Sequence, residues 1–167
     1  VQEANLLPEI AKLANKDDRI AMAAWIDEEG WVQVTSPMNK EPFLFKPGGE
    51  WSDDYGQSWS ISGNPNVVQI KANEQTKMLQ YQDYPDALNQ LYSALNSHRP
   101  SHVILVARPG FSFQAEGTPL HPDGGEHGGL HKNDSQAAII IAGTDKLPQN
   151  RRMVDLKEYI LQLFREF

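Results

Sequence analysis

Two short uncharged runs, VILVA at 103–107 and AAIIIAG at 137–143, constrain the fold of this chain most. Continuous apolar runs of this kind are expected of strands buried on both faces. Helical spacing flanks them on either side. In YPDALNQLYSALNS, Ala87, Leu88, Leu91, Tyr92 and Leu95 mark one helix face, with Pro85 and Asp86 in the first turn. In RRMVDLKEYILQLFREF, Val154, Leu156, Tyr159, Ile160, Leu163 and Phe164 form a second apolar face. Residues 81–167 therefore predict helix, strand, loop, strand, helix.

The N-terminal part, residues 1–80, reads as a helix followed by a β-rich portion. Leu6, Leu7, Ile10, Leu13 and Ala14 recur at helical spacing, with Asn5 as a cap and Pro8 in the first turn. RIAMAAWID and WVQVTS predict two strands joined by a tight turn at Glu28–Gly30. Short apolar runs between Pro and Gly continue to NVVQIKA, which predicts a further strand. The fold class is α/β. The 167 residues are read as a single domain or as a fragment of a larger domain.

Composition removes several chemistries. The chain has no cysteine, which excludes disulfides, thiolate zinc sites, iron–sulfur clusters and a cysteine nucleophile. Its net charge of −7 and the absence of a Lys/Arg stripe argue against a nucleic-acid partner. No apolar run approaches the roughly 20 residues of a membrane span, and the first residues lack the pattern of a signal peptide. The sequence starts at Val1, as expected of a processed or excised piece.

Between the two apolar runs lies HPDGGEHGGLHKND, residues 121–134, with three histidines, two aspartates, a glutamate and four glycines. A loop at the carboxyl end of a buried strand is a common place for chemistry in α/β folds. His127 and His131 are four apart, the spacing of a zinc-hydrolase helix, but Gly128 and Gly129 oppose a helix and no Glu occupies position 128. The glycines instead allow close backbone approach to a ligand. A self-contained metal site from His121, Asp123, His127, His131 and Asp134 is one alternative, and a solvated polar loop is another. His98 and His102 flank a helix end, where an imidazole favourably meets the helix dipole.

Three segments together, YPDALNQLYSALNSHRPSHVILVARPGFSF, EHGGLHKNDSQAAIIIAG and RRMVDLKEYILQLF, resemble the C-terminal part of alkaline phosphatase superfamily hydrolases, especially the type I phosphodiesterase/nucleotide pyrophosphatase branch. The resemblance covers about the last 85 residues, and implies an alkaline-phosphatase-like sheet-and-helix core. It further implies a two-metal hydrolase, typically with zinc, acting on phosphate-ester small molecules through a Ser or Thr nucleophile. His127 matches the late histidine ligand of that family, and His131 is a secondary candidate. The nucleophile and the Asp-His metal pair have no matching segment here, so the chain is expected to lack activity and to hold no metal alone. Zinc then belongs to the parent protein.

A different reading is a non-catalytic binding domain. Trp25, Trp31, Trp51 and Trp59 all fall in the N-terminal half, with Asp53, Asp54 and Tyr55 between the last two. Such a cluster could form a carbohydrate-binding face through Trp51 and Trp59, or simply serve as strand core.

Overall fold

A computed structural model describes residues 6–97, 102–117 and 128–165. The described residues are mixed α/β, with seven strands in one mostly antiparallel sheet and four α-helices. They divide into two units, Val1–Ser135 and Gln136–Phe167.

The first unit is built on β1 (Ile20–Ile26), which alternates its side chains between two cores. Met22 and Ala24 face the larger core, whereas Ala23 and Trp25 face the smaller one. This period of two is what a strand covered on both faces requires. Helix α1 (Leu7–Ala14) covers the smaller side, burying Leu7 and Ala11 against Ala23 and Trp25. Helix α2 (Ala87–Asn96) covers the other with Ala87, Leu88, Leu91 and Leu95.

The α1 face differs from the expected one: Leu6, Ile10 and Leu13 are exposed. Ala11 and Ala23 are both fully buried, so the helix docks on its small side. Leu6 precedes the first turn without a side-chain cap, and the expected cap Asn5 lies outside the described residues.

The predicted hairpin forms. Asp27 Oδ1 accepts the backbone N–H of Glu29 and Trp31, closing the turn from β1 into β2 (Val32–Ser36), and Gly30 supplies a φ of 78°. The long β3 (Asn39–Asp53) pairs β2 along residues 39–45 and, on its other edge, β4 (Ser58–Gly63) along residues 43–52. Pro47 and Trp51 both stand opposite Trp59, so residues 48–50 bulge out of register. Pro47 sits at that irregularity, where a missing N–H is tolerated. A short 3₁₀ turn, Pro65–Val68, leads to the hairpin of β5 (Ile70–Asn73) and β6 (Met78–Tyr81). β6 then runs parallel to the end of β3.

The run at 103–107 becomes β7 (Ile104–Ala107), antiparallel to β1. Only Val106 is fully buried in it; Ile104 packs partly on the larger core and Leu105 partly on the smaller one, so both faces are covered but neither is sealed. The run AAIIIAG forms no strand, and Ile139 and Ile140 are exposed. A short helix α3 (Lys132–Ser135) ends the first unit.

The second unit contains a 3₁₀ turn, Met153–Asp155, and helix α4 (Leu156–Phe164). Arg152 grips Asp155 with two hydrogen bonds of 2.7 and 2.8 Å, which holds its carboxyl below the usual carboxylate range. Tyr159 Oη donates to the Lys146 carbonyl at 2.8 Å. None of its described residues is buried. No described helix is long and apolar enough to cross a membrane.

Gly63, at the end of β4, has a φ of 80°, and a Cβ there would collide with the Pro42 carbonyl oxygen. Gly63→Ala is expected to lower stability by more than about 1 kcal/mol in urea denaturation. Gly30→Ala, with open space around the position, is expected to cost less.

Candidate functional site

Three features of the first unit bear on function: a buried polar hub, a pinned segment after residue 127, and a groove between them and the sheet edge. The hub is Asp53, which is 1% exposed at the end of β3. Its Oδ1 accepts the backbone N–H of Tyr55 and Gln57 at 3.0 and 2.9 Å. Its Oδ2 accepts Gln57 Nε2, Trp59 Nε1 and Tyr81 Oη, each at 2.9 Å. Five donors thus converge on one carboxylate, which satisfies a group that would be costly to bury unpaired.

The network extends to α2. Gln57 Nε2 also donates to Asp86 Oδ1 at 3.0 Å, and Asn89 Nδ2 donates to Asp86 Oδ2 at 3.0 Å. Asp86 precedes α2 with a φ of 56°, and its carbonyl accepts the Gln90 N–H. The two hydrogens of one amide therefore tie the β3–β4 turn to the start of the helix. Burial first, and then the Asp53 carboxylate, push the Tyr81 phenol well above its ordinary range. Every donor to Asp53 is neutral, and the ligand set is complete, so the hub organises structure and leaves no lone pair aimed at a substrate.

Trp59 belongs to this hub and to an aromatic chain. Phe45 meets it edge-on at 5.6 Å and Tyr92 at 6.5 Å. Trp25, Trp51 and Trp59 are all buried, and Trp51 carries the Lys77 ammonium over its ring at 4.6 Å. Trp51 and Trp59 therefore offer no open rings on which a sugar could stack. Trp31 is only partly buried and lies under Lys46 at 4.3 Å.

His121, Asp123 and His127 lie outside the described residues, as does His98. His131 is described, and it faces Tyr84 edge-on at 5.4 Å while its Nδ1 accepts the Asn133 N–H at 3.2 Å. Nδ1 is thus engaged by the backbone, which requires the proton on the other ring nitrogen in a neutral imidazole. The next residue, Lys132, binds Asp83 twice: its N–H donates to the Asp83 carbonyl at 2.7 Å, and Nζ meets Oδ1 at 2.7 Å. The Lys132 ammonium holds the Asp83 carboxyl below the usual range. Leu130 packs against the large core. Together these contacts seat residues 130–132 on the turn ahead of α2.

Asp134 folds back, so that a Cβ on Gly129 would collide with its Oδ2. Among the described residues, no group of three or more His, Cys, Asp or Glu could hold a metal ion. His131 and Asp134 therefore do not make a metal centre with other described residues.

The groove has a volume of about 630 Å3. It is lined by α2 through Gln90, Leu91 and Ala94, by β7, by Gly110–Phe113 and by the segment Gly128–Leu130 with Asp134. No family model, no curated protein and no solved structure matches this chain.

Sequence reasoning singled out the histidine-rich loop and named Asp53 only beside Trp51 and Trp59 in a candidate carbohydrate-binding face, not as a buried hub. A local signal existed: DDYGQSW has an Asp, a Gly three residues later and a strand-type Trp, the composition of an Asp-initiated turn closing a hairpin. The contributions of Tyr81 and Asp86 had no local signal.

The raised Tyr81 pKa sets the sign of an alkaline effect. The unfolded phenol ionises near pH 10, whereas the folded one resists, so its stabilisation is present below about pH 10 and is lost as pH rises further. Tyr81→Phe is expected to cost about 1–3 kcal/mol at pH 7, by removing one of the Asp53 donors. It is also expected to flatten part of the stability loss above about pH 10 in urea denaturation.

Proposed function

We propose that this chain is the C-terminal part of a metal-dependent phosphoester hydrolase of the alkaline phosphatase superfamily type, in which His127 supplies one metal ligand. The observation that carries this reading, beside the sequence resemblance, is the second unit. Ile139, Ile140, Met153, Val154, Ile160, Leu161 and Phe164 are all exposed in it. A strand-type run and an amphipathic helix of nine residues bury nothing here. Isolated helices of this length are marginal in water, and an apolar stripe is normally spent on a core. Both segments are what a sheet-and-helix core would use once its remaining strands are present.

In that setting the roles of the residues divide. His127 would coordinate a divalent metal, zinc by the resemblance, through a neutral imidazole nitrogen. The metal would lower the pKa of a hydroxyl nucleophile and stabilise charge on the ester oxygens. Gly128 and Gly129 would keep the backbone thin beside it. His131 and Lys132 fasten the downstream end of the loop to the Asp83–Tyr84 turn, a positioning role. The nucleophile and the partner ligands would come from another part of the parent protein, and the substrate is a phosphate ester.

Metal content and hydrolysis test this reading together. The isolated chain is expected to carry no stoichiometric zinc in elemental analysis and to leave a chromogenic phosphodiester intact. In a longer parent protein, His127→Ala should lower zinc affinity by more than the ~10–100-fold that loss of a ligand's supporting partner costs, while His131→Asn should remain within that range. Stoichiometric zinc on the isolated chain, lost in both His127→Ala and His131→Ala, would replace the proposal with a self-contained site.

A further inference from the structure

We propose that the groove between α2 and β7 is a binding site for an uncharged aromatic group, and, resting on the hydrolase reading, that it receives the organic portion of the ester rather than its phosphate. Size is the first argument. At about 630 Å3 the groove falls within the ~300–1,000 Å3 typical of small-molecule sites.

Lining chemistry is the second argument. Leu91, Ile104, Val106 and Leu130 supply aliphatic surface, and the half-exposed rings of Phe111 and Phe113 supply aromatic surface. Aromatic rings gain from pairing with another ring beyond the area they bury. No Lys, Arg or His is among the described lining residues, and Asp134 is the charged group there. An anion placed in such a groove would lose its hydration and meet a carboxylate, so phosphate is disfavoured. A neutral ring loses little hydration and gains contact with both Phe side chains. Gln90 and Ser112 provide polar groups that could orient a hydroxyl on it.

Position is the third argument. Gly128, Gly129 and Leu130 form one wall of the groove, facing α2 and β7. The wall itself is fixed. Lys132 and His131 pin it to the Asp83–Tyr84 turn, and Asp134 packs on Gly129. A site held on a rigid helix, a strand and a pinned segment is preorganised, which reduces the ordering cost of binding.

Methyl-resolved NMR of the whole 167-residue chain, titrated separately with 2-naphthol and with inorganic phosphate, tests the proposal without metal or catalysis. Naphthol is expected to shift Leu91, Ile104, Val106 and Leu130 in a saturable way, while phosphate leaves them unmoved. Ala94→Trp, which fills the groove from an exposed helix position, and Phe113→Ala, which removes a ring, should each weaken naphthol binding about tenfold or more with amide spectra retained. Naphthol shifts confined to Ile139, Ile140 and α4, no saturable shift in the groove, or groove shifts caused by phosphate would overturn it. Because the probe contains neither phosphate nor metal, loss of the His127 zinc role would leave this result intact, and the reverse also holds.

Discussion

The Asp53 carboxylate is the interaction on which the first unit depends. Two backbone N–H groups, an amide, an indole and a phenol all donate to it, and they come from the β3–β4 turn, β4 and β6. Through Gln57 the same network reaches Asp86 at the start of α2. A buried carboxylate without these donors would be costly, so each element is held where its donor can reach. The hub therefore does what an apolar contact cannot: it fixes direction as well as proximity. It sets α2 over the large core, and α2 forms one side of the groove.

Sidedness comes from β1. Its alternation assigns Met22 and Ala24 to the core beneath α2, and Ala23 and Trp25 to the core beneath α1. β7 lies beside β1, and it carries Val106 to the first core while Leu105 packs on the second. The chain after β7 then supplies Phe111 and Phe113, and the pinned segment returns to the same place with Gly128–Leu130. One continuous physical arrangement thus leads from the carboxylate hub through α2 and β7 to a groove walled on one side by Gly128–Leu130.

Local patterns carried the parts of the fold that are locally determined. The β1–β2 hairpin was legible because Asp27 and Gly30 complete its turn within five residues of each other. Helix α2 was legible because its buried set, Ala87, Leu88, Leu91 and Leu95, follows helical spacing. Helix α1 was legible as a helix, yet its buried side was not, because Ala11 is selected by the small partner Ala23 rather than by hydrophobicity. AAIIIAG has strand composition, but a strand exists only with a paired neighbour, and a run of β-branched residues cannot say where that neighbour lies. At the site, His131 was visible as a histidine and its anchoring by Tyr84 was not. The Asp53 turn had a local signature, but its bond from Tyr81 was hidden for the same reason: Tyr81 is 28 residues away, and no spacing rule links them.

The chain therefore comprises a first unit, Val1–Ser135, with a buried core and polar hub, and a second unit, Gln136–Phe167, whose described apolar side chains are exposed. Native-state hydrogen exchange on the whole chain, read by NMR, tests that division most directly. The Trp59 indole N–H, donated to Asp53, and the β1–β2 amides should exchange only through global unfolding of the first unit, with the same free energy. Amides of α4 should exchange close to the rates of an unstructured peptide. Protection of α4 equal to that of β1, or exchange of the Trp59 indole well before global unfolding, would contradict the account.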